Sequence, residues 1–264
     1  MNKKIMILGV IVIIGIIAGL MFFRADKGGK EENTLVMGLD DSFPPMGFRN
    51  ENNEIVGFDI DVAQAVCDRL GMELKLQQIS WAAKEQELNS GNIDCIWNGF
   101  ALNEERAATM NLTDPYIKGE LYFILKNDSK IKDQEELRGK KVGVQAGSVQ
   151  QSDLEQSDLG KDLEIVQYSD FLTAFMDLET GGIDAVCASS LIGNYLITSK
   201  NKDFITMDSR DISTSRGCVI AFKLGNDELK DKIQNTLYEL KKDGTLKEIS
   251  EKWFGKDMIL VKEK

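Results

Sequence analysis

The sequence predicts an α/β protein built from two related lobes. Apolar runs that suit strands alternate along the chain with apolar residues at helical spacing, which is typical of α/β units. One unit occurs twice: residues 90–96 resemble residues 180–186, and each segment follows a helix that an aromatic residue, Trp81 or Phe171, opens. The chain has 264 residues, of which 42% are hydrophobic, so its length suits two lobes better than one compact unit.

The elements of the first lobe can be assigned in order. Residues 35–39 form a first strand that ends in a polar turn, and a helix follows over residues 60–70. We expect Asp59 or Asp61 to cap the start of this helix and Gly71 to end it. The next elements are a strand at 74–76, a helix that reaches Leu88 and a strand at 93–97.

The second lobe repeats the start of the first. Residues 142–148 combine a strand with a polar turn that leads into a helix, as residues 35–42 do. Ligands of open α/β sheets bind beyond the carboxyl ends of the strands, where such turns lie. We therefore expect a ligand site at these turns.

Composition excludes several kinds of chemistry. The chain has no histidine, so it cannot form a Ser-His-Asp triad, a histidine-ligated zinc site or a histidine pH switch. With 32 Lys and Arg residues against 43 Asp and Glu residues, its net charge of -11 argues against a nucleic-acid partner. Neither a Walker P-loop nor a GxGxxG motif is present. We predict a protein without metal, cofactor or nucleic acid.

The N-terminal segment has a composition of its own. Lys3 and Lys4 precede an unbroken apolar run over residues 5–23, close to the ~20 residues that cross a bilayer. No A-x-A cleavage pattern follows, so we favour an uncleaved anchor over residues 1–24, with a cleaved signal peptide as the alternative. Residues 25–32 are then a solvated linker. The globular part is extracytoplasmic, tethered to the outer face of the membrane, or secreted or periplasmic after cleavage.

The four cysteines do not form a metal or redox motif. They lie far apart and without CxxC spacing, so neither a zinc site nor a thioredoxin-type motif is indicated. We expect buried free thiols, although an exported protein also permits disulfides. The cysteines are Cys67, Cys95, Cys187 and Cys218.

A series of short motifs resembles a known family. Residues 57–62 are GFDIDV, residues 103–106 are NEER, residues 113–116 are TDPY, residues 137–144 are LRGKKVGV, and residues 243–255 run from DGT to KWFG. In this order and spacing they resemble the family 3 solute-binding proteins of bacterial ABC importers, which mostly bind polar amino acids. The resemblance covers everything after the linker.

The resemblance implies a periplasmic-binding-protein type II fold, in which two lobes joined by two hinge crossings close on a small molecule. It places the first lobe at residues 33–117 and 220–264 and the second at residues 121–216. The hinges then lie near residues 118–120 and 217–219. We expect the strand-end turns of both lobes to face the cleft between them.

Arg106 is the expected partner of a ligand carboxylate. A guanidinium fork pairs bidentately with a planar anion, and Arg106 matches the carboxylate-binding arginine of the family. The alternative is a surface arginine at a helix start, paired with Glu104 or Glu105.

Backbone groups are expected to complete the carboxylate site. Gly99 and Ala101 follow a strand, while Ser148 and Val149 open a helix whose free N–H groups suit an anion. Ser148 matches a hydroxyl-bearing position of the family and also suits an N-cap, and both roles can hold. Ala101 stands where the family usually has Thr or Ser, so one side-chain hydrogen bond to the ligand is missing.

The resemblance places Phe43 and Trp81 on either side of the ligand. Packing at a turn or at a helix start is the alternative for these aromatic residues. Trp97 suits the core, whereas Asn98 at the same strand end is expected to reach the cleft.

The site for the ligand ammonium departs from the family. Asp40 ends the first strand and is the expected counter-charge, with Asp41 as a possible substitute. Ser189 stands where the family normally has an aspartate, and a serine cannot neutralise a buried ammonium. Either Asp40 carries the cation alone, or the ligand lacks an ordinary ammonium. Gln145 is neutral and can both donate and accept, so it is expected to select the distal group of the ligand.

Three functions follow from these residues. The first is the binding component of an ABC importer, which hands a small polar solute, an amino acid or a derivative, to a permease. The second is an extracellular sensor module. The third is a cyclohexadienyl-dehydratase-like enzyme, which needs a positioned proton donor that we cannot assign. We therefore expect no enzyme, and the identity of the ligand stays open.

Overall fold

The computed structural model describes residues 33–209, 212 and 217–262. Its strands are β1 (Thr34–Leu39), β2 (Ser42–Phe43), β3 (Gly47–Arg49), β4 (Ile55–Val56), β5 (Glu73–Gln78), β6 (Cys95–Ile96), β7 (Asn111–Leu112), β8 (Leu121–Lys126), β9 (Lys141–Gln145), β10 (Glu164–Tyr168), β11 (Ala185–Ser189), β12 (Phe204–Asp208) and β13 (Ala221–Phe222). Its α-helices are α1 (Phe58–Leu70), α2 (Lys84–Ser90), α3 (Glu104–Thr109), α4 (Val149–Gln156), α5 (Phe171–Thr180), α6 (Ser190–Ser199), α7 (Asp227–Lys242) and α8 (Thr245–Phe254). Short 3₁₀ turns cover Trp81–Ala83, Gln134–Leu137 and Leu159–Asp162.

Two five-stranded sheets share one strand order. The first is β5-β1-β6-β13-β7 and the second is β10-β9-β11-β8-β12. In each sheet a parallel pair, β1 with β6 or β9 with β11, is followed by an antiparallel fourth strand, β13 or β8. The repeat predicted from the sequence is therefore present in the topology. We call the halves built on these sheets the first lobe and the second lobe.

The chain crosses between the lobes twice. It leaves the first sheet after β7, enters the second at β8, and returns from β12 to β13. The two crossing segments lie side by side, because the N–H of Cys218 donates to the carbonyl of Ile117 at 2.9 Å. The predicted hinge segments, 118–120 and 217–219, adjoin this contact. Their limits and those of the lobes stay a prediction.

Helix α1 starts differently from the prediction. Neither Asp59 nor Asp61 caps it: Gly57 is the N-cap residue, with φ of 151°, and no side chain caps the helix. A Cβ at Gly57 would lie 2.2 Å from the carbonyl oxygen of Met46, so this close backbone approach requires glycine. The end of the helix agrees with the prediction, since Gly71 adopts the left-handed conformation there.

The aspartates at the start of α1 are used elsewhere. Asp59 is completely buried, and its carboxylate accepts hydrogen bonds from the hydroxyl of Tyr116 and the N–H of Gly99, both at 2.7 Å. Asp61 instead accepts from Lys252 and from the indole of Trp253, both at 2.6 Å. Asp59 therefore joins α1 to the turn after β6.

Buried apolar residues fill both lobes. The strand predicted at 93–97 is shorter than expected, because only Cys95 and Ile96 form β6. Trp97 is fully buried and packs edge-on against Tyr116, as suits a core residue.

The four cysteines are buried and free, as expected.

Nothing in the described ranges forms a helix long and apolar enough to cross a membrane. The anchor predicted for residues 1–24 and the linker predicted for residues 25–32 lie outside those ranges.

Candidate functional site

A narrow cavity lies between the two lobes. It adjoins the carboxyl ends of β1, β6 and β9, where the sequence placed the ligand site. Every predicted site residue except Asp40 and Ser189 lines it. The lining residues are Phe43, Trp81, Asn98, Gly99, Ala101, Arg106, Gln145, Ser148, Val149, Gln150 and Phe171.

Arg106 is held in the first turn of α3 with its guanidinium in the cavity wall. Asn103 caps this short helix by accepting from the N–H of Arg106 at 3.0 Å. The guanidinium donates to the carbonyls of Ala101 at 2.7 Å and Gly147 at 3.3 Å, and it lies 4.0 Å from the ring centroid of Phe100.

The charge of Arg106 is buried without an ion pair. Its side chain is 7% exposed, and no carboxylate in the described part of the chain lies within 4.0 Å of the guanidinium. Burial lowers the pKa of Arg106 to about 10, although nearby carboxylates, led by Glu85 and Glu105, oppose the change. The residue therefore stays protonated at neutral pH. A buried cation with spare N–H donors is suited to an incoming carboxylate.

The start of α4 faces the same cavity. The hydroxyl of Ser148 accepts from the N–H of Gln151 at 3.1 Å, so Ser148 is the predicted N-cap. Ser148 and Val149 are both buried in the cavity wall. The positive end of this helix adds to the attraction of Arg106 for an anion.

Aromatic residues form the apolar walls. The rings of Phe43 and Phe171 lie 5.6 Å apart between centroids, and Trp81 packs edge-on to Phe100 at 6.0 Å. Gly99 has φ of 57°, and a Cβ there would lie 2.6 Å from the ring of Phe43, so this turn requires glycine.

Sequence reasoning missed Phe171 and Gln150 as lining residues. The internal repeat carried a signal for Phe171, because it opens its helix as Trp81 does in the first lobe. No pattern in the sequence singled out Gln150, which lies in the first turn of α4.

Asp40 lies behind Gln145 rather than in the cavity wall. The amide of Gln145 donates across the lobes to the carboxylate of Asp40 at 2.5 Å, and the N–H of Ser42 donates to the same side chain at 2.9 Å. Burial raises the pKa of Asp40 to about 6 despite these bonds. Asp41 forms an ion pair with Arg49 and does not line the cavity.

The remaining predicted residues are placed as follows. Asn98 lines the cavity; its Oδ1 accepts from the N–H of Asp40 at 3.2 Å, while its buried Nδ2 has no partner among the described residues. Ser189 caps α6 by accepting from the N–H of Leu191 and packs beside Gly119. The structure does not bring Ser189 into the cavity wall, and its role toward a ligand stays a prediction.

Charge is distributed unevenly around the cavity. Among the residues that line it, Arg106 carries the charge, and the others supply aromatic rings, amides, a hydroxyl and backbone groups. Such a set can hold one carboxylate together with a neutral, hydrogen-bonding remainder.

Comparison with known proteins agrees with this arrangement. Residues 35–256 match the family described as "Bacterial extracellular solute-binding proteins, family 3". The chain is 32% identical over 231 residues to the L-cystine-binding protein TcyJ of Escherichia coli (strain K12), with 87% of this chain and 85% of that protein covered. It is 31% identical over 239 residues to the probable amino-acid-binding protein YxeM of Bacillus subtilis (strain 168), with 89% of each covered.

A solved structure has the same fold. The substrate-binding protein of an ABC uptake transporter from Streptococcus pneumoniae, with bound histidine, superposes with a TM-score of 0.81 at 31% identity. The superposition covers 86% of this chain and 94% of that one. The two-lobe architecture is therefore that of the periplasmic binding proteins, and the chain belongs to the family 3 extracellular solute-binding proteins of bacteria.

Proposed function

We propose that the chain captures an α-amino acid in the cavity between its lobes and delivers it to the permease of an ABC importer. One observation carries the proposal: the guanidinium of Arg106 is buried in the cavity wall, and no described carboxylate pairs with it. The names of the relatives support it, since they include proteins for cystine and for amino acids in general. On this proposal the chain acts by binding and not as an enzyme.

In the proposed complex, the ligand carboxylate pairs with Arg106. The N–H groups at the start of α4 and the hydroxyl of Ser148 supply further donors for the same group. Phe43, Trp81 and Phe171 cover the apolar part of the ligand.

The proposed ligand has a neutral side chain. Asp40 is a buried carboxylate directly behind the cavity wall, and it accepts a hydrogen bond from the amide of the lining residue Gln145. The α-ammonium of the ligand can form an ion pair with the carboxylate of Asp40 by displacing the amide of Gln145. A cationic side chain would then add a second positive charge without a carboxylate in the cavity wall, and burying an unpaired charge is costly.

A binding panel tests the proposal. The full chain in detergent is titrated calorimetrically with L-cystine, L-glutamine, L-histidine, L-arginine and L-lysine, and its unfolding is followed with each. At a hundred times its Kd a ligand should stabilise the protein by about 2.7 kcal/mol. We expect L-glutamine, whose side chain is uncharged, to bind at least about tenfold more tightly than arginine and lysine, a difference of about 1.4 kcal/mol. Tighter binding of arginine would refute the charge argument, and no binding of any amino acid would refute the proposed function.

The type II assignment, the hinges at 118–120 and 217–219 and the membrane tether belong to the same proposal. The apolar run after Lys3 and Lys4 supports the tether, because its length suits a bilayer. N-terminal sequencing of membrane-extracted protein tests it. A retained N-terminus supports the anchor, and a new terminus near Ala25 would show that the segment is a cleaved signal peptide.

A further inference from the structure

Lys84 is a buried cation beside the ligand site that the sequence analysis did not single out. It opens α2, directly after the turn that carries Trp81, and only 2% of its side chain is exposed. Its ammonium lies 5.3 Å from the ring centroid of Trp81 and 2.9 Å from a carboxylate oxygen of Glu85. A lysine is almost never so buried unless its charge has defined partners.

The main partner of Lys84 lies in the other lobe. The ammonium donates to the carbonyl of Gly147 at 2.8 Å, which is as short as a good charge-assisted hydrogen bond. Gly147 lies in the turn between β9 and α4, with φ of 74°. A Cβ on Gly147 would lie 3.1 Å from the Cα of Ala82 and 3.3 Å from the ammonium of Lys84, so the two lobes approach closely here.

The same carbonyl serves the ligand site. Arg106 donates to the Gly147 carbonyl at 3.3 Å, so two cations of the first lobe converge on one oxygen of the second. The turn that presents this oxygen also carries Gln145, Ser148 and Val149 into the cavity wall. Whatever fixes Gly147 therefore helps to fix Gln145, Ser148 and Val149 in the cavity wall.

The bond between Lys84 and Gly147 depends on the contact between the lobes. Its donor and its acceptor belong to different lobes, so separation of the lobes would return both groups to water. The ion pair with Glu85 and the contact with Trp81 lie within the first lobe and would survive. The bond therefore contributes free energy to the closed arrangement and little to the fold of either lobe.

We propose that Lys84 is a positioning residue that clasps the turn at Gly147 and so holds the second lobe closed over a bound amino acid. The proposal rests on the proposed function, because it assigns Lys84 a role in retaining that ligand. Lys84 lines an adjoining cavity with Arg106 and Gly147, but not the ligand cavity. It acts on the ligand through the turn.

The test compares two lysine variants of the full chain. Lys84→Met keeps a long side chain and removes the charge and the donor. Lys232→Met is the matched control, because Lys232 is exposed and, within the described ranges, forms its ion pair with Glu228 on its own helix, α7. Association and dissociation rates are measured with L-cystine, L-glutamine and L-histidine as probes, and the unfolding midpoint is measured without any amino acid.

We expect Lys84→Met to bind the probes about tenfold more weakly, through faster dissociation at a nearly unchanged association rate. The unfolding midpoint without amino acid should stay close to that of the wild type, since an apolar residue of similar size can replace a buried charge at little cost. Unchanged dissociation rates would overturn the proposal. A lowered midpoint with unchanged binding would reduce Lys84 to a structural residue and overturn it equally.

Two further readings separate the alternatives. L-Glutamate is measured as a fourth probe for this purpose. If Lys84→Met loses affinity for L-glutamate alone, Lys84 contacts a second acidic group of the ligand and the clasp is wrong. If the wild type binds none of the probes, the proposed function fails, and hydrogen exchange in residues 141–156 then tests the clasp without a ligand. Faster exchange of that segment in Lys84→Met than in Lys232→Met would support the clasp, and equal exchange would overturn it.

Discussion

Replacing Arg106 with lysine separates the role of its fork from the role of its charge. Lysine keeps the positive charge but offers a single nitrogen, so it cannot pair bidentately with a carboxylate. In the structure the guanidinium donates hydrogen bonds to the carbonyls of Ala101 and Gly147, and Arg106 also lines the cavity. One ammonium cannot satisfy both carbonyls and a ligand in the same way.

The structure sets the expected magnitudes. Loss of a buried charge-assisted pair costs roughly 2 to 5 kcal/mol of binding free energy, which raises Kd by about 30-fold to several thousand-fold. The fold loses chiefly the two carbonyl bonds, a cost of about 1 to 3 kcal/mol in unfolding free energy. Such a loss lowers the unfolding midpoint of a chain of this size by roughly 2 to 12 °C.

Titration calorimetry and thermal unfolding of the full chain measure both effects. Arg69→Lys is the control, since Arg69 is exposed and forms ion pairs with Asp243 and Glu239 far from the cavity. We expect Arg69→Lys to bind as the wild type does. An unchanged Kd in Arg106→Lys would refute the reasoning and leave the carboxylate to the backbone groups of α4.

Three further predictions follow from buried groups. Burial raises the pKa of Asp59 to about 7 from an ordinary 3.8, so its stabilising contribution is greatest below about pH 4 and is lost as the pH rises toward 7. Between about pH 5 and 7.5, denaturant unfolding should show that the free energy of unfolding of the wild type falls by about 1 to 3 kcal/mol relative to that of Asp59→Asn. Parallel plots of unfolding free energy against pH for the two proteins would contradict this. Burial raises the pKa of Asp40 to about 6. The affinity for L-glutamine, measured by calorimetry, should therefore fall up to tenfold per pH unit below about pH 6. Asp40→Asn should bind L-glutamine more weakly than the wild type, with an affinity that does not change over that pH range. Gly57→Ala should lower the free energy of unfolding by about 3 kcal/mol or more, because its Cβ would meet a backbone carbonyl. Gly91→Ala, where the Cβ would meet nothing within 4 Å, should lower it by about 1 kcal/mol. Equal unfolding midpoints of the two variants would be evidence against this prediction.

Much of the fold could be predicted because its helices and longer strands are long enough to show a periodic spacing of apolar residues. The apolar spacing of α1 and the repeat around Trp81 and Phe171 are local patterns, and strand ends follow from them. Strands of two residues, such as β6 and β13, show no period and depend on neighbours that are distant in sequence.

The charged residues near the site could not be placed in this way. The sequence predicts Asp59 as a helix cap, and no pattern in it marks Lys84 as buried. They are buried because Tyr116 and Gly147, each more than 50 positions away, supply their hydrogen-bond partners. Arg106 was predictable from the family motif, while its freedom from Glu104 and Glu105 depends on the geometry of the folded chain.

A crystal structure of the full chain with a bound amino acid tests the central claim most directly. We predict that the ligand lies between Phe43 and Trp81, with both carboxylate oxygens about 2.7 to 2.9 Å from the guanidinium nitrogens of Arg106. A ligand in the separate inter-lobe groove lined by Pro45, Tyr195 and Trp253, or a carboxylate that does not touch Arg106, would contradict the account.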